Sequence, residues 1–431
     1  MRALSGVLAL LALLLAAPTT APNQAFPLRP GDRVVFVGDS ITQQRLYTTY
    51  LETYFLTRFP NWRLQFRNVG WSGDTAWLAR RTSLNESHLF SRDSALVART
   101  VCASVDEGLR RDVLALKPTL AFLCFGMNDS RLGERAVAPY STALRESLHL
   151  LTSSGARAVV LSPSPEQPRQ PGSRRNARLL KLTAAGRQEA ARAGVSFADL
   201  FNPVLQVLRQ GLALDPSLAL IPDAVHPAPP GHLAMAWATL RELDAPSLVS
   251  RVDFNAASRS VRCQGCRAAQ VRVGPREISF RRQDDCLPWP LPPSTRSVWA
   301  LTRVQEELNR YELRVTGLRP GSYRLEVNGS PLGVFHSRDL AAGLNLSRYP
   351  QVAGKGPELQ DAVCRKNDLY FERWRHVQLG NHLSPKDRER RLAALDAGIE
   401  ALETRIDRLR RPKPLTFRLV WEFREAKGDG G

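Results

Sequence analysis

Between residues 34 and 243 the chain alternates short, mostly apolar runs with longer stretches in which apolar positions recur every three to four residues. The apolar runs fall at 34–37, 64–69, 120–125, 158–161 and 195–197; the amphipathic stretches fall at 44–58, 104–116, 139–153, 174–193 and 231–243. A continuous apolar run suits a strand buried on both faces, and a helix between successive strands makes them parallel. The pattern predicts an α/β fold over 26–250, a parallel sheet covered by helices on both sides in three α/β/α layers. Ligands of such sheets bind beyond the carboxyl ends of the strands, so any chemistry is expected there.

From residue 251 the period shortens to two, at 270–273, 277–280, 311–315 and 323–327, with turn signals at 317–321 and Asn328-Gly329 between them. That alternation predicts antiparallel strands and a β-rich, sandwich-like module over 251–337. A helical extension is expected over 338–431. Ser384-Pro385 is a good N-cap and first-turn pair for a helix over 385–411. Leu392, Leu395, Ile399, Leu402, Ile406 and Leu409 make a heptad seam on it, which can pack on its own domain or pair with a second copy in a homo-oligomer. A final strand is expected at 415–423, returning to the β module.

Composition changes this picture at three points. Arg2 and the apolar stretch 7–17, followed by Ala21 and Ala25, read as a signal peptide over 1–25. No later apolar run is long enough to span a membrane, so a soluble secreted or periplasmic protein is expected. The net charge of +19 would ordinarily point to nucleic acid. Its basic residues, 7 Lys and 53 Arg, are scattered along the whole chain, and no nucleic-acid-binding module is present, so no nucleic-acid partner is expected. Six cysteines in an exported chain permit disulfides. Cys263 and Cys266 have no second pair at zinc-site spacing, so a local disulfide, or pairing with Cys286, is expected instead.

Four segments at predicted strand ends carry candidate chemistry. Gly38-Asp39-Ser40-Ile41-Thr42 follows the first strand and opens a helix, where a serine hydroxyl projects as a candidate nucleophile. The same sequence also makes an ordinary turn and N-cap. Gly70-Trp71-Ser72-Gly73-Asp74 ends the second strand; Gly73 can offer its N–H to an oxyanion, or simply form a turn. Gly126-Met127-Asn128-Asp129 ends the third, where the Asn128 amide can cap a turn or donate into the site. Asp223-Ala224-Val225-His226-Pro227 places a carboxylate within reach of one ring nitrogen while leaving the other free. His232 belongs to the start of the helix that follows.

Taken together and in this order, the four segments resemble the four blocks of the SGNH hydrolases, the GDSL-type esterase and lipase family, over about residues 30–245. The resemblance implies a flavodoxin-like core and a serine esterase. By it Ser40 is the nucleophile, Asp223 and His226 complete the triad, and the Ser40 N–H, Gly73 and Asn128 are the oxyanion donors. No metal or organic cofactor is implied. Ile41 stands where the family often has Leu, an exchange of similar volume. Trp71 is bulkier than in many members; it either packs on the following helix or offers a platform to a sugar ring. Asp39 reads as a structural residue of the turn, with substrate contact as its other open role. The 320–379 region resembles C-terminal extensions of multidomain bacterial members, which carries no function across. The expected substrate is an ester, foremost an acetylated carbohydrate. Lysophospholipase or short-chain esterase activity is the alternative, and a surface carbohydrate-binding or assembly protein is the alternative of another class.

Overall fold

The computed structural model describes residues 26–167 and 173–422. The expected signal segment at 1–25 lies outside the described residues, as does position 423 of the expected last strand. The core strands are β1 (Arg33–Gly38), β2 (Gln65–Asn68), β3 (Leu120–Cys124), β4 (Arg157–Leu161) and β5 (Ser196–Ala198). They form one parallel sheet in the order β2-β1-β3-β4-β5. Its helices are α1 (Ser40–Gln43), α2 (Leu46–Arg58), α3 (Ser94–Asp112), α4 (Val137–Ser153), α5 (Arg174–Ala193), α6 (Phe201–Leu214) and α7 (Pro229–Glu242). Alternate residues of each strand enter different cores. Val34, Phe36, Phe122 and Val159 pack with α2, α6 and α7, whereas Val35, Val37, Leu123 and Val160 pack with α3, α4 and α5. The result is the expected three-layer α/β/α core.

The β-rich region holds two sheets. Its strands are β6 (Leu248–Asn255), β7 (Ser260–Gln264), β8 (Cys266–Val273), β9 (Glu277–Asp284), β10 (Arg310–Thr316), β11 (Ser322–Val327), β12 (Ser330–His336) and β13 (Leu344–Asn345). Short helices α8 (Trp299–Thr302), α9 (Val304–Leu308) and α10 (Ser337–Ala342) connect them. α11 (Gly356–Phe371), a π-helical turn over Glu372–Gln378, α12 (Pro385–Leu409) and β14 (Leu415–Glu422) complete the chain. One sheet runs β13-β10-β6-β7 and the other β12-β11-β14-β9-β8. The pattern of turns predicts antiparallel neighbours throughout, yet β10 pairs in parallel with β6. β6 precedes β10 by a long connection that includes three other strands and two helices, so the hairpin rule does not apply to this pair. Phe280 stacks on Phe254 at 6.4 Å and on Phe417 at 5.3 Å, joining the two sheets across their core.

The helical extension folds back on the α/β core. Leu359, Ala362 and Val363 of α11 and Ile406 of α12 share the core that contains α2. This explains why α2 is buried on every side from Tyr47 to Arg58, polar Thr and Glu positions included. The heptad seam of α12 faces the same way: Leu395, Ile399 and Ile406 are buried against their own chain, and Leu402 and Leu409 pack on the core. Of the two outcomes its spacing allowed, the seam takes internal packing on its own chain.

The expected disulfide is absent: all six cysteines are free thiols. The Cys266 thiol donates to Arg251 O at 3.3 Å and the Cys286 thiol to Val249 O at 3.4 Å, so both buried thiols are engaged by carbonyls of β6. Among the described residues no helix is long and apolar enough to cross a membrane.

Candidate active site

The carboxyl ends of β1, β2 and β3 lie side by side, and each releases one of the predicted loops. β1 ends at Gly38, where a Cβ would come within 2.5 Å of Cys124 O on β3 and 2.1 Å of Thr42 Oγ1. Only glycine lets the two strand ends and α1 close up this far. Asp39 caps α1, its carboxylate accepting from Ile41 N–H at 2.9 Å. Ser40 follows as the first residue of α1, where a backbone N–H has no intrahelical partner.

A hydrogen-bonded chain runs outward from Ser40. His226 Nε2 lies 2.8 Å from Ser40 Oγ, and His226 Nδ1 lies 2.6 Å from Asp223 Oδ2. The other Asp223 oxygen accepts from Val225 N–H at 2.9 Å and His226 N–H at 2.6 Å. Ala224 between them sits at φ +72, a left-handed conformation that curls the loop back on its own carboxylate. Burial, the largest single effect on Asp223, pushes its pKa up. The hydrogen bonds from His226 and Val225 outweigh it and bring the carboxyl down to about 2. Asp223 is thus ionised across the physiological range and holds Nδ1 as the proton donor, leaving Nε2 to accept from Ser40.

Gly73 and Asn128 line one small cavity of about 150 Å³. Gly73 has φ +77, which turns the second loop tightly. Asn128 Nδ2 donates one hydrogen to Asp74 O at 2.8 Å, fixing the amide plane and leaving its second hydrogen available. The second loop is tied to the first by Trp71 N–H to Gly38 O at 2.9 Å and Ser72 N–H to Gln43 Oε1 at 2.7 Å. A larger cavity, about 550 Å³, opens by Val207, Trp237 and Leu301, but none of the predicted site residues lines it.

Residues 36–234 match the model of the GDSL-like lipase/acylhydrolase family. Over these residues the chain is similar to that family. It is accordingly a serine ester hydrolase, and its substrate is an ester. No curated protein matches the chain. A gut microbial diltiazem-metabolizing enzyme of known structure is 23% identical, with a TM-score of 0.70 over 93% of this chain and 100% of that one. The shared fold therefore takes in the C-terminal sheets and helices as well as the acylhydrolase domain. An acetylxylan esterase from Geobacillus stearothermophilus is 20% identical over 51% of this chain and 97% of its own, with a TM-score of 0.39. LAE5, an alpha/beta hydrolase enzyme from the metagenome of Lake Arreo, Spain, is 22% identical over 51% and 98%, also at 0.39.

Two residues of the acylhydrolase domain stand elsewhere than at a substrate surface. Asp39 is buried, and burial pushes its carboxyl up to about 7, with buried Asp129 and Asp74 nearby adding to the rise. Its role is to cap α1, and substrate contact is excluded by its depth. The indole of Trp71 is covered: the Arg375 guanidinium lies 3.4 Å from its ring centroid and Trp374 meets it edge-on at 5.8 Å. Of the two roles left open for Trp71, packing is the one observed, with the turn after α11 against the ring. His232 is buried at the start of α7, with Nε2 2.8 Å from Gln44 Oε1 and its ring stacked on Tyr47. Burial takes its pKa down to about 3, so it stays neutral.

Sequence reasoning missed the support beneath the site. Arg81, fully buried, donates to Asp74 at 2.6 Å and to Val69 O at 2.7 Å, and sits 3.5 Å from Asp112. It thereby pins the second loop to the end of β2. Nothing in the local pattern separates Arg81 from its neighbour Arg80, which is exposed.

Proposed function

We propose that the protein is an exported hydrolase that removes short acyl groups, acetyl foremost, from carbohydrate through an acyl-enzyme on Ser40. The observation that carries this reading is the unbroken chain from Ser40 Oγ through both nitrogens of His226 to Asp223, with distances of 2.8 and 2.6 Å. Ser40 Oγ attacks the ester carbonyl as His226 Nε2 takes its proton, and Asp223 stabilises the imidazolium. The backbone N–H groups of Ser40 and Gly73 and the free hydrogen of the Asn128 amide stabilise the oxyanion. His226 returns the proton to the departing alcohol, then activates the water that releases the acid.

The size of the cavity at Gly73 and Asn128 supports a short acyl group. At about 150 Å³ it is well below the roughly 300 Å³ at which sites for drug-sized ligands begin, and a long lipid chain needs more. Export rests on the apolar stretch at 7–17 and the small residues after it. The carbohydrate alcohol rests on analogy within the family.

The test is hydrolysis of p-nitrophenyl acetate and acetylated polysaccharide by the mature chain beside Ser40→Ala. The substitution is expected to lower kcat by at least about 10⁴-fold while leaving the unfolding curve in place. Comparable turnover in the variant refutes the mechanism, and rates that climb with acyl length refute the short-acyl assignment.

A further inference from the structure

The cavity beside the candidate oxyanion donors is charged on one side. Buried Trp77 and Leu89 give it an apolar wall, and the exposed Arg80 and Arg131 line it together with Gly73 and Asn128. Arg80 lies directly over the second loop: a Cβ on Gly73 would come within 3.2 Å of its Nε. Arg131 follows three residues after Asn128, so the two guanidinium groups are carried by the two loops that hold the donors.

Neither side chain is engaged. Arg80 is held through its backbone N–H, which donates to Asp74 Oδ1 at 3.2 Å, and Arg131 through its backbone N–H, which donates to Asn128 O at 3.1 Å. No ion pair within 4.0 Å joins either guanidinium to a carboxylate among the described residues, although Glu86 lines the same cavity. Other arginines around the site are committed: Arg81 to Asp74 at 2.6 Å and Arg45 to Asp368 at 3.0 Å. Asp39, whose charge Arg131 influences, is buried and makes no ion pair with it. Two unpaired planar forks facing one small cavity match the geometry of a carboxylate, and a neutral substituent gains nothing from them.

We propose that Arg80 and Arg131 form an anion-recognition subsite, so that the preferred substrate is an ester carrying a carboxylate on the group seated beside the oxyanion donors. This rests on the reading of Ser40 as the nucleophile. The carboxylate can belong to the acyl chain or to the alcohol, and paired substrates separate the two. One pair is p-nitrophenyl hydrogen succinate against p-nitrophenyl butyrate; the other is acetylated glucuronic acid against acetylated glucose.

In at least one pair the anionic ester is expected to lead in kcat/KM by about tenfold or more at low ionic strength, as charge-assisted bonds to a guanidinium allow. Added salt shrinks the lead, since both groups are exposed. The double substitution Arg80→Gln, Arg131→Gln lowers the ratio, mainly through KM, and Arg80→Lys, Arg131→Lys restores part of it. Arg99→Gln, at an exposed position of α3 that does not line the cavity, leaves the ratio where it was. The inference is overturned if neither pair shows a lead, if the double Gln variant keeps it, or if Arg99→Gln lowers it equally, which would make it an effect of net charge. The salt response of the unaltered protein gives a reading independent of how the variants fold. Ser40→Ala separates the two levels: loss of both activities without a charge preference overturns this inference alone, whereas retained activity overturns the mechanism beneath it as well.

Discussion

Glu52 on α2 and Lys366 on α11 form an ion pair of 2.5 Å in the seam between the α/β core and the helical extension, with side chains only 3% and 2% exposed. Asn367 Nδ2 adds a bond to the other Glu52 oxygen at 3.0 Å, and Phe66 O lies 3.4 Å from the ammonium. Burial is the largest effect on both groups: it pushes Glu52 up and Lys366 down, and each charge only partly offsets it for the other. The pair therefore does not recover its full desolvation cost, yet either member alone would be worse off. Glu52→Leu, or Lys366→Met, made alone is expected to destabilise the protein by about 3–5 kcal/mol, the usual range for breaking a buried pair. Glu52→Leu combined with Lys366→Met removes both charges and is expected to be neutral, or stabilising by about 1–4 kcal/mol. Urea unfolding of the four proteins, followed by tryptophan fluorescence, gives the double-mutant cycle. Single substitutions costing under about 1 kcal/mol would refute the buried geometry. A double variant that loses the sum of the two singles would refute the claim that the pair is bound mainly by mutual need.

Two further predictions concern the site. Asn128→Ala removes one oxyanion donor and is expected to lower kcat by about 10²–10³-fold with little change in KM; a loss below about tenfold in steady-state kinetics would exclude it from that role. Asp129 is buried, its Oδ1 accepting from Ala76 N–H at 2.9 Å and its Oδ2 unpartnered, and burial pushes its carboxyl from 3.8 to about 7. Between those values the unfolded chain has released a proton that the folded chain still holds, so this contribution is fully present below 3.8 and is lost as the pH rises toward 7. Asp129→Asn keeps the acceptor and removes the titration. Its urea midpoint is expected to fall less between pH 4 and 7 than that of the unaltered protein, and identical slopes would refute the assignment.

The α/β core was legible because β1, β3 and β4 are apolar on both faces, a pattern that loops and amphipathic helices do not share. Each predicted core strand lies within two residues of its observed limits, whereas α3 begins at Ser94, ten residues before the predicted start. α6 escaped prediction because Phe201–Leu214 follows β5 with almost no polar break. The β region shows a different limit. Period two reveals which side of a strand faces a core, but not which strand lies beside it, so the parallel pairing of β6 with β10 was invisible. The seam of α12 failed likewise: its spacing gave a face, and only the fold supplied α11 and the core as its partner. Among the candidate residues, Ser40, Gly73 and Asn128 stood out in segments that do follow β1, β2 and β3, whereas Asp223 and His226, expected at a strand end, lie in the loop between α6 and α7 and stood out by their spacing alone. Arg80, Arg81 and Arg131 carry no such mark in a chain with 53 arginines. What separates them is burial and partnership, properties of the fold alone.

The position of β14 bears on the order in which the molecule can assemble. This last strand lies between β11 and β9 in the second sheet, and α12 just before it closes over the core beside α2. Neither the second sheet nor the cover of α2 can be completed until nearly the entire chain has been made. The earlier elements must wait with an unfilled gap between β9 and β11 and with the polar face of α2 bare. Completion of the second sheet and of the cover over α2 waits for β14 and α12, and such long-range pairings are slow to form and exposed to aggregation meanwhile.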